Sequence, residues 1–273
     1  MNLVFKQAKT DGQSIDRYVA LLKFVFNKPE IFTKEYIEWL YKDNPYGEAI
    51  GLDAFEGEVL VAHYATAPIN YVYNGRQMKG LLAVNLAVHP DYQGKGLFTH
   101  IAEETHNYAS QNGYEFVIAL ANQNSTHGFL KYQGFKFICP LDVYLVLGKV
   151  DEIKVSPGHF FTSSIDDTYI KWRMKNPQAN YFVSNGLYYS KTHIRFIDVC
   201  MGTKYKQPSM HNNAQMIQMT MGLNNVPQTL FKFKLPDRFK PAPLNFTIKP
   251  LTSSFPQLEK KNIFFETIDF DAY

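Results

Sequence analysis

The residues with the clearest capacity for chemistry form a glycine-containing turn between an apolar strand and a helix. The turn reads Val88-His89-Pro90-Asp91-Tyr92-Gln93-Gly94-Lys95-Gly96-Leu97-Phe98-Thr99. The first N–H groups of a helix have no internal partner and carry partial positive charge, so they attract anions. Gly94 and Gly96 allow an anion to approach those groups. Lys95 adds a positive charge and Thr99 a hydroxyl donor, so the turn indicates a phosphate or diphosphate site, although an ordinary strand-to-helix turn is the alternative.

The turn does not match two common nucleotide-binding motifs. The phosphate-loop pattern Gly-x-x-x-x-Gly-Lys-Ser/Thr is absent. A dinucleotide fingerprint needs a third glycine, and none follows Gly96 at the required spacing. Both classes of nucleotide-binding protein are therefore disfavoured.

The turn resembles the acyl-CoA motif Arg/Gln-x-x-Gly-x-Gly/Ala of the GNAT superfamily of N-acyltransferases. Gln93 falls on its first position and Gly96 on its fourth, whereas the sixth, usually Gly or Ala, is Phe98. Downstream, Asn122-Gln123-Asn124-Ser125 and Gly134-Phe135 are similar to the family's second motif, an Asn followed by a helix that ends in Gly-Phe. The resemblance covers roughly residues 1–150. It extends to GNAT proteins of polysaccharide gene sets, which carry a degenerate second half.

This resemblance implies that acyl-CoA lies between two splayed strands, with its diphosphate on the turn and its pantetheine arm against the preceding strand. The N–H near Val88 would then polarise the thioester carbonyl. Asn122 or Asn124 would bind the arm, although both could equally cap the helix that begins near Ser125. The implied cofactor-binding residues are Leu86, Ala87, Val88, Gln93, Gly94, Lys95, Gly96, Leu97, Phe98, Thr99, Asn122 and Asn124.

The sequence does not provide the family's usual acid. A Tyr commonly protonates the departing thiolate, but the corresponding position here is Phe129 or Leu130. Tyr132 is the nearby candidate, yet it lies two residues beyond Leu130 and about 200° around a regular helix. Water is the alternative proton source.

A base for the attacking amine is also missing from its common place, because no Asp or Glu occurs between Glu58 and Asp91. His63 has a suitable unperturbed pKa and is the candidate base, with a hydrogen-bonded core histidine as the alternative. Asn85 is a polar residue in an apolar strand, so we expect it to position a substrate or to bond to a neighbour. The tail carries two more carboxylates, Asp269 and Asp271, which would reach the acceptor site if the second half packs across the first, with a solvated terminus as the default alternative.

Regular elements on both sides of the turn are expected to position these residues. Apolar residues at helical spacing predict four helices, over 14–26, after Thr33, from 97 to about 111 and over 125–132. Apolar and β-branched runs predict strands over 49–55, 59–65, 69–73, 80–88 and 116–120, with a hairpin at Asn74-Gly75. The strand–helix–strand order around the turn predicts a parallel pair joined by a crossover.

A repeat links the two halves of the chain. Tyr36-Ile37-Glu38-Trp39 reappears as Tyr169-Ile170-Lys171-Trp172, and Asn44-Pro45 reappears as Asn176-Pro177. The shared order and the use of both tryptophans favour a duplication, with coincidence between two short helices as the alternative. Residues 151–158 resemble a domain boundary. The predicted fold is α+β (α/β): a mixed central sheet of GNAT type flanked by helices in 1–150, followed by a smaller, degenerate GNAT-like α+β half in 151–273.

Composition narrows the class of protein further. The 273 residues are 45% hydrophobic and 19% charged, which is typical of a globular chain. The net charge of +3 is too small to indicate a nucleic-acid or membrane-surface partner. We expect no signal peptide and no membrane span. Two cysteines form no framework and eight histidines match no zinc spacing, so we expect reduced thiols, a cytoplasmic location and no metal.

These observations predict an acetyl-CoA-dependent N-acyltransferase that acts on a primary amine of a small molecule, with an amino sugar or sugar nucleotide as first candidate. One alternative is an acyltransferase for an amino acid, peptide or polyamine. The other is a non-catalytic CoA-binding sensor or scaffold. A homodimer is left open.

Overall fold

The computed structural model describes residues 2–148, 150, 160–203, 214–227, 229, 231–240 and 243–270, except for the side chain of Asn124. Ten elements make up the first part of the chain: β1 Leu3–Gln7, α1 Gly12–Phe26, α2 Lys34–Tyr41, β2 Ile50–Glu56, β3 Val59–Tyr73, β4 Arg76–Val88, α3 Leu97–Gln111, β5 Phe116–Ala121, α4 Gln123–Tyr132 and β6 Lys136–Pro140. The four predicted helices and the hairpin at Asn74-Gly75 are confirmed. The runs predicted as two strands over 59–65 and 69–73 form one long strand, because pairing with β4 continues through Thr66 and Ala67.

The second part of the chain contributes mainly short strands. Its elements are β7 Asp142–Leu147, β8 Thr162–Ser163, α5 Asp167–Arg173, β9 Tyr181–Ser184, β10 Leu187–Lys191, β11 Ile197–Gly202, β12 Ile217–Leu223, β13 Lys232–Lys234, β14 Asn245–Pro250 and β15 Phe265–Glu266. Strand β12 was not predicted, because the buried polar residues Gln218 and Thr220 weaken its apolar pattern. Strand β15 is followed by a 3₁₀ turn over Thr267–Asp269.

The strands form two mixed sheets, which confirms the predicted α+β class. The first has the order β1-β2-β3-β4-β5-β14-β6, with β8 added beside β3. In it β4 and β5 are parallel and α3 forms the crossover between them, as predicted. The second has the order β13-β7-β12-β11-β10-β9, with β15 beside β12.

The two sheets exchange strands along the chain. Strand β14, from near the end of the chain, lies between β5 and β6 and pairs antiparallel with both. Strand β7, which precedes residue 150, belongs to the second sheet. Side chains from both sheets share one apolar core. The division into 1–150 and 151–273 stays a prediction, and its proposed boundary, 151–158, lies outside the described residues.

The repeated segments form matching helices that face each other. Thr33 Oγ1 accepts a hydrogen bond from the Tyr36 N–H at the start of α2, and Asp166 Oδ1 accepts one from the Tyr169 N–H at the start of α5. These caps stand three residues before the repeated Tyr in both copies and satisfy an otherwise unpaired N–H. The same position in two helices thus performs the same task, as the predicted duplication requires.

The two tryptophans meet between these helices. Trp39 and Trp172 stack with ring centroids 4.6 Å apart. Trp39 Nε1 donates to the Trp172 carbonyl at 2.9 Å, and Trp172 Nε1 donates to the Trp39 carbonyl at 3.0 Å. Reciprocal contacts of this kind are what a two-fold axis produces, so the two copies pack as a pseudo-symmetric pair.

Trp172→Phe is expected to lower the free energy of unfolding by about 1–3 kcal/mol, because the buried Trp39 carbonyl loses its donor while an aromatic stack remains. Trp39→Phe is expected to cause a loss of similar size, since the two bonds are reciprocal. Urea denaturation followed by circular dichroism measures both. A loss confined to one variant would contradict the pseudo-symmetric pairing.

Candidate active site

A cleft opens where β4 and β5 stop pairing. The two strands pair only from Gly80 to Leu82 and from Phe116 to Ile118, although both continue further. A Cβ on Gly80 would lie 2.1 Å from the Phe116 ring, so this close start of the pair requires glycine. Further along, the β3–β4 register shifts so that Val84 is an extra residue on β4. Such a bulge bends a strand and turns it away from its neighbour.

The cleft has a volume of about 200 Å³ and is lined by residues of both strands. Its walls are Ala83, Val84, Asn85 and Leu86 on one side and Ala119, Leu120 and Asn122 on the other, with Phe26, Tyr64, Ser125 and Phe129 around them. Three of the residues predicted from the sequence, Asn85, Leu86 and Asn122, thus meet in one place. Ala87 and Val88 lie further along β4 and are not part of this lining.

The predicted glycine turn leads from the end of β4 into α3. Gly94 and Gly96 have φ of 72° and 76°, the left-handed region in which glycine carries no steric penalty. Gly96 is the N-cap of α3, and among the described residues no side chain caps this helix. The buried Leu97 side chain anchors the first turn in the core. The exposed helix start therefore offers backbone N–H groups and positive dipole charge to an anion.

Two long side chains of the turn fold back on the segment before it. Gln93 Nε2 donates to the Val88 carbonyl at 3.2 Å. Lys95 Nζ donates to the Asp91 carbonyl at 2.7 Å and lies 4.9 Å from the Tyr92 ring centroid. Both side chains are exposed, so both can reach a ligand by changing rotamer.

Phe98, the departure from the family pattern, packs toward α4. A Cβ on Gly128 would lie 3.1 Å from the Phe98 ring, so the lack of a side chain at Gly128 makes room for it. The Phe98 ring also meets Phe129 edge to face, with centroids 6.4 Å apart. Thr99, the next residue, is half-buried. The large residue at the sixth motif position is thus accommodated against the neighbouring helix.

A buried hydrogen-bonded chain runs from β2 to the cleft. Asp53 Oδ1 lies 2.7 Å from His63 Nδ1, and His63 Nε2 lies 2.8 Å from the Tyr41 hydroxyl. Asn85 Nδ2 donates to that hydroxyl at 2.9 Å. Tyr18 donates its hydroxyl proton to the other oxygen of Asp53 at 2.8 Å and stacks on the His63 ring. Asn85 is the member that lines the cleft.

The chain has one consistent direction of hydrogen bonding. An ionised Asp53 accepts from His63 Nδ1–H, which leaves Nε2 to accept the Tyr41 proton. Tyr41 in turn accepts from Asn85. Burial raises the pKa of Tyr41, so its hydroxyl keeps its proton. Asn85 therefore donates one Nδ2 proton to Tyr41, and its Oδ1 is the side-chain atom that can accept a hydrogen bond in the cleft.

The other predicted site residues differ in their burial and in whether they line the cleft. His63 is 0% exposed and contacts the cleft only through Tyr41 and Asn85, so its part in catalysis stays a prediction. Tyr132 is 47% exposed and is not part of the cleft lining. Asn122 Oδ1 accepts from the Ser125 N–H at 3.0 Å, so it caps α4 as well as lining the cleft. The Asn124 side chain and Asp271 lie outside the described residues, and Asp269 is buried.

Several polar residues of this region were missed at the sequence level. Asp53 is a carboxylate in the middle of β2 with apolar residues on both sides, a signal that indicates a buried partner. Tyr41 and Tyr64 resemble ordinary core aromatics in the sequence. Only the tertiary structure reveals that Tyr41, at the end of α2, joins the Asn85 chain and that Tyr64, on β3, lines the cleft.

In the part of the chain that the structure describes, no group of three or more His, Cys, Asp or Glu side chains is arranged to hold a metal ion. Among the described helices, none is long and apolar enough to cross a membrane.

Comparison with known proteins gives a family match and a shared fold. Residues 7–137 match the family model described as an acetyltransferase (GNAT) domain. A protein of Enterococcus faecalis described as a "Probable N-Acyltransferase" aligns over 92% of this chain and 73% of its own, with 11% identity and a TM-score of 0.63. A GCN5-related N-acetyltransferase of Anabaena variabilis aligns over 91% and 73%, with 10% identity and the same TM-score. At these identities the likeness shows the fold alone. No curated protein matches the sequence significantly.

Proposed function

We propose, from the match of residues 7–137 to a GNAT acetyltransferase domain, that the protein transfers an acetyl group from acetyl-CoA to a primary amine of a small molecule. An amino sugar or sugar nucleotide is the first candidate acceptor. The observation that carries the proposal is the cleft between β4 and β5. Strand β4 leads from this cleft to the start of α3, where no described side chain caps the helix.

The residues around the cleft fit the parts of acetyl-CoA. The glycine turn at 93–98 and the N–H groups of α3 would hold the diphosphate. The backbone of Leu86 to Val88 would pair with the pantetheine arm, and Asn122 would contact it from the β5 side. When bound, the thioester supplies an acyl carbon that an amine can attack. The protein's contribution would be mainly positioning, together with polarisation of the carbonyl by the N–H near Val88.

Asn85 is the group that we assign to the acceptor. Its Oδ1 would accept a hydrogen bond from the amine and direct the nitrogen lone pair toward the acyl carbon. Tyr41, His63 and Asp53 would act as positioning residues, because they hold the Asn85 amide in one orientation. The second half would shape the rest of the acceptor site. Two buried free cysteines are consistent with a cytoplasmic protein.

Thiol release from acetyl-CoA with a panel of amines tests the proposal. The panel contains amino sugars, nucleotide-linked amino sugars, amino acids and polyamines, and a thiol-reactive dye reports CoA. We expect turnover that depends on one amine class and is largest for the amino sugars. Preference for polyamines or amino acids would replace the acceptor assignment. Tight CoA binding in calorimetry without turnover on any amine would favour the sensor function. That alternative is motivated by Phe129 and Leu130, neither of which is the Tyr expected at this position.

A further inference from the structure

A second hydrogen-bonded histidine chain reaches the cleft from the opposite side of the sheet. Tyr64, on β3, lines the cleft, and its hydroxyl lies 3.1 Å from His106 Nε2 on α3. His106 Nδ1 lies 3.0 Å from Lys249 Nζ on β14. Tyr64 and His106 are fully or almost fully buried, whereas Lys249 is half-buried and within reach of water. Three separate segments of the chain thus build one continuous path from the surface to the cleft.

The ammonium group sets the direction of this chain. Lys249 has only protons to donate, so His106 must accept at Nδ1. A neutral imidazole that accepts at Nδ1 carries its proton on Nε2 and donates it to the Tyr64 oxygen. Burial lowers the pKa of His106 to about 3, so the ring is neutral at physiological pH. The Tyr64 hydroxyl proton is therefore not used toward His106 and can be donated elsewhere.

The position of Tyr64 matters because α4 lacks a proton donor. Phe129, which lines the same cleft, occupies one of the two positions where the family pattern has Tyr. Leu130 is the other, and neither side chain can donate a proton. Tyr64, a fully buried residue of β3, is part of the lining of the same cleft, where a sequence motif on α4 cannot reveal it.

We propose that Tyr64 is the catalytic acid of this protein, donating its hydroxyl proton to the sulfur of the departing CoA, with His106 and Lys249 as positioning residues that resupply it. This proposal rests on the proposed function. As the new amide C–N bond forms and the C–S bond breaks, the sulfur takes the Tyr64 proton. Tyr64 takes the Nε2 proton of His106, and His106 takes a proton at Nδ1 from Lys249. The proton that the amine loses goes to water, and Lys249 recovers one from water.

The charges around Lys249, His106 and Tyr64 support proton transfer from Lys249 toward Tyr64. Burial lowers the pKa of Lys249, which makes its ammonium a better proton donor, while the Glu103 carboxylate on α3 opposes that shift and keeps it protonated. Burial raises the pKa of Tyr64, so a free phenolate is unfavourable and the proton must be replaced as it leaves. Phe135 contacts the His106 ring and adds no competing polar group. The net result is that a proton passes from the Lys249 ammonium group to the CoA thiolate.

Binding of CoA and of desulfo-CoA, which lacks the sulfur, tests the proposal without turnover. At an alkaline pH high enough to ionise the CoA thiol, the wild type is expected to prefer CoA by about tenfold, the effect of one hydrogen bond to a charged acceptor. At pH 6 the preference should shrink. Tyr64→Phe should bind both ligands equally at both pH values. Tyr71→Phe removes the hydroxyl of another buried tyrosine on β3 outside the cleft, so it should retain the preference.

The outcomes separate this proposal from the function on which it rests. A wild type that binds neither ligand overturns the CoA assignment itself. A wild type that binds both equally, or a Tyr64→Phe variant that keeps the preference, overturns only the role of Tyr64. In turnover, Tyr64→Phe is expected to lower kcat by about 100-fold with little change in KM for acetyl-CoA.

The positioning residues have a separate test that does not depend on Tyr64→Phe folding. In the wild type, ¹⁵N NMR of His106 should report a neutral ring protonated on Nε2. Lys249→Met should reduce the preference for that tautomer and change the alkaline limb of the pH–rate profile, and Lys249→Arg, which keeps a donor, should restore both. An unchanged tautomer and pH profile in Lys249→Met would exclude Lys249 from the chain.

Discussion

Replacing Gly96 with glutamate is expected to weaken acetyl-CoA binding by about 100-fold. Two effects combine. Gly96 has φ of 76°, and a residue with a Cβ loses about 1–2 kcal/mol in that region. The new carboxylate would also occupy the positive end of α3 and repel the diphosphate, an effect of about 1–2 kcal/mol in favourable geometry. Isothermal calorimetry with acetyl-CoA measures the loss directly.

Gly113→Glu is the matched control for this prediction. Gly113 follows the other end of α3, has φ of 81°, and a Cβ there would meet open space in the described structure. The substitution therefore repeats the backbone strain and the added charge at a distance from the cleft. Acetyl-CoA affinity should stay near the wild-type value in Gly113→Glu. Equal losses in the two variants, or no loss in Gly96→Glu, would remove the turn from the cofactor site.

The parts of the fold with local signals were predictable. The start of α2 follows from the Thr33 cap, and the β3–β4 hairpin follows from Asn74-Gly75, because both depend on neighbouring residues only. The glycine turn is similar: the left-handed conformations of Gly94 and Gly96 and the uncapped α3 are local properties. Local chemistry was therefore sufficient to predict the conformation of the turn that we propose as the anion-binding end of the candidate site.

The parts that depend on register or on distant pairing were not predictable. Nothing near 245–250 indicates that this strand lies between β5 and β6, more than 100 residues earlier in the chain. That insertion also delivers Lys249 to His106, so the second histidine chain cannot be inferred without it. The Asn85 chain likewise requires the β2–β3–β4 register, which brings Asp53 opposite His63. Polar networks in a core are set by tertiary pairing rather than by sequence pattern.

The Asn85 chain also explains why buried charge is found so close to the cleft. Asp53 is 3% exposed, and a carboxylate at that depth is stable only with partners. His63 and Tyr18 are these partners. His63 is also hydrogen-bonded to Tyr41, which in turn accepts a hydrogen bond from Asn85. The stability of the protein and the orientation of Asn85 therefore both depend on His63. Substitutions at different positions of the chain can separate these two effects.

His63→Ala is expected to lower the free energy of unfolding by about 3–5 kcal/mol, because Asp53 would be left as a buried charge with Tyr18 as its remaining side-chain partner. It should also lower kcat more than it lowers acetyl-CoA affinity, since the Asn85 amide loses its support. Urea denaturation measures the loss of stability, thiol release from acetyl-CoA measures kcat, and calorimetry measures the affinity.

Tyr41→Phe separates the effect on stability from the effect on kcat, because it removes the hydrogen bond to Asn85 while the Asp53–His63 pair remains. We expect a loss of unfolding free energy of about 1–3 kcal/mol in Tyr41→Phe, below that of His63→Ala, together with a clear loss of kcat. If Tyr41→Phe turns over at the wild-type rate, Asn85 does not depend on this chain, and His63 then serves stability alone.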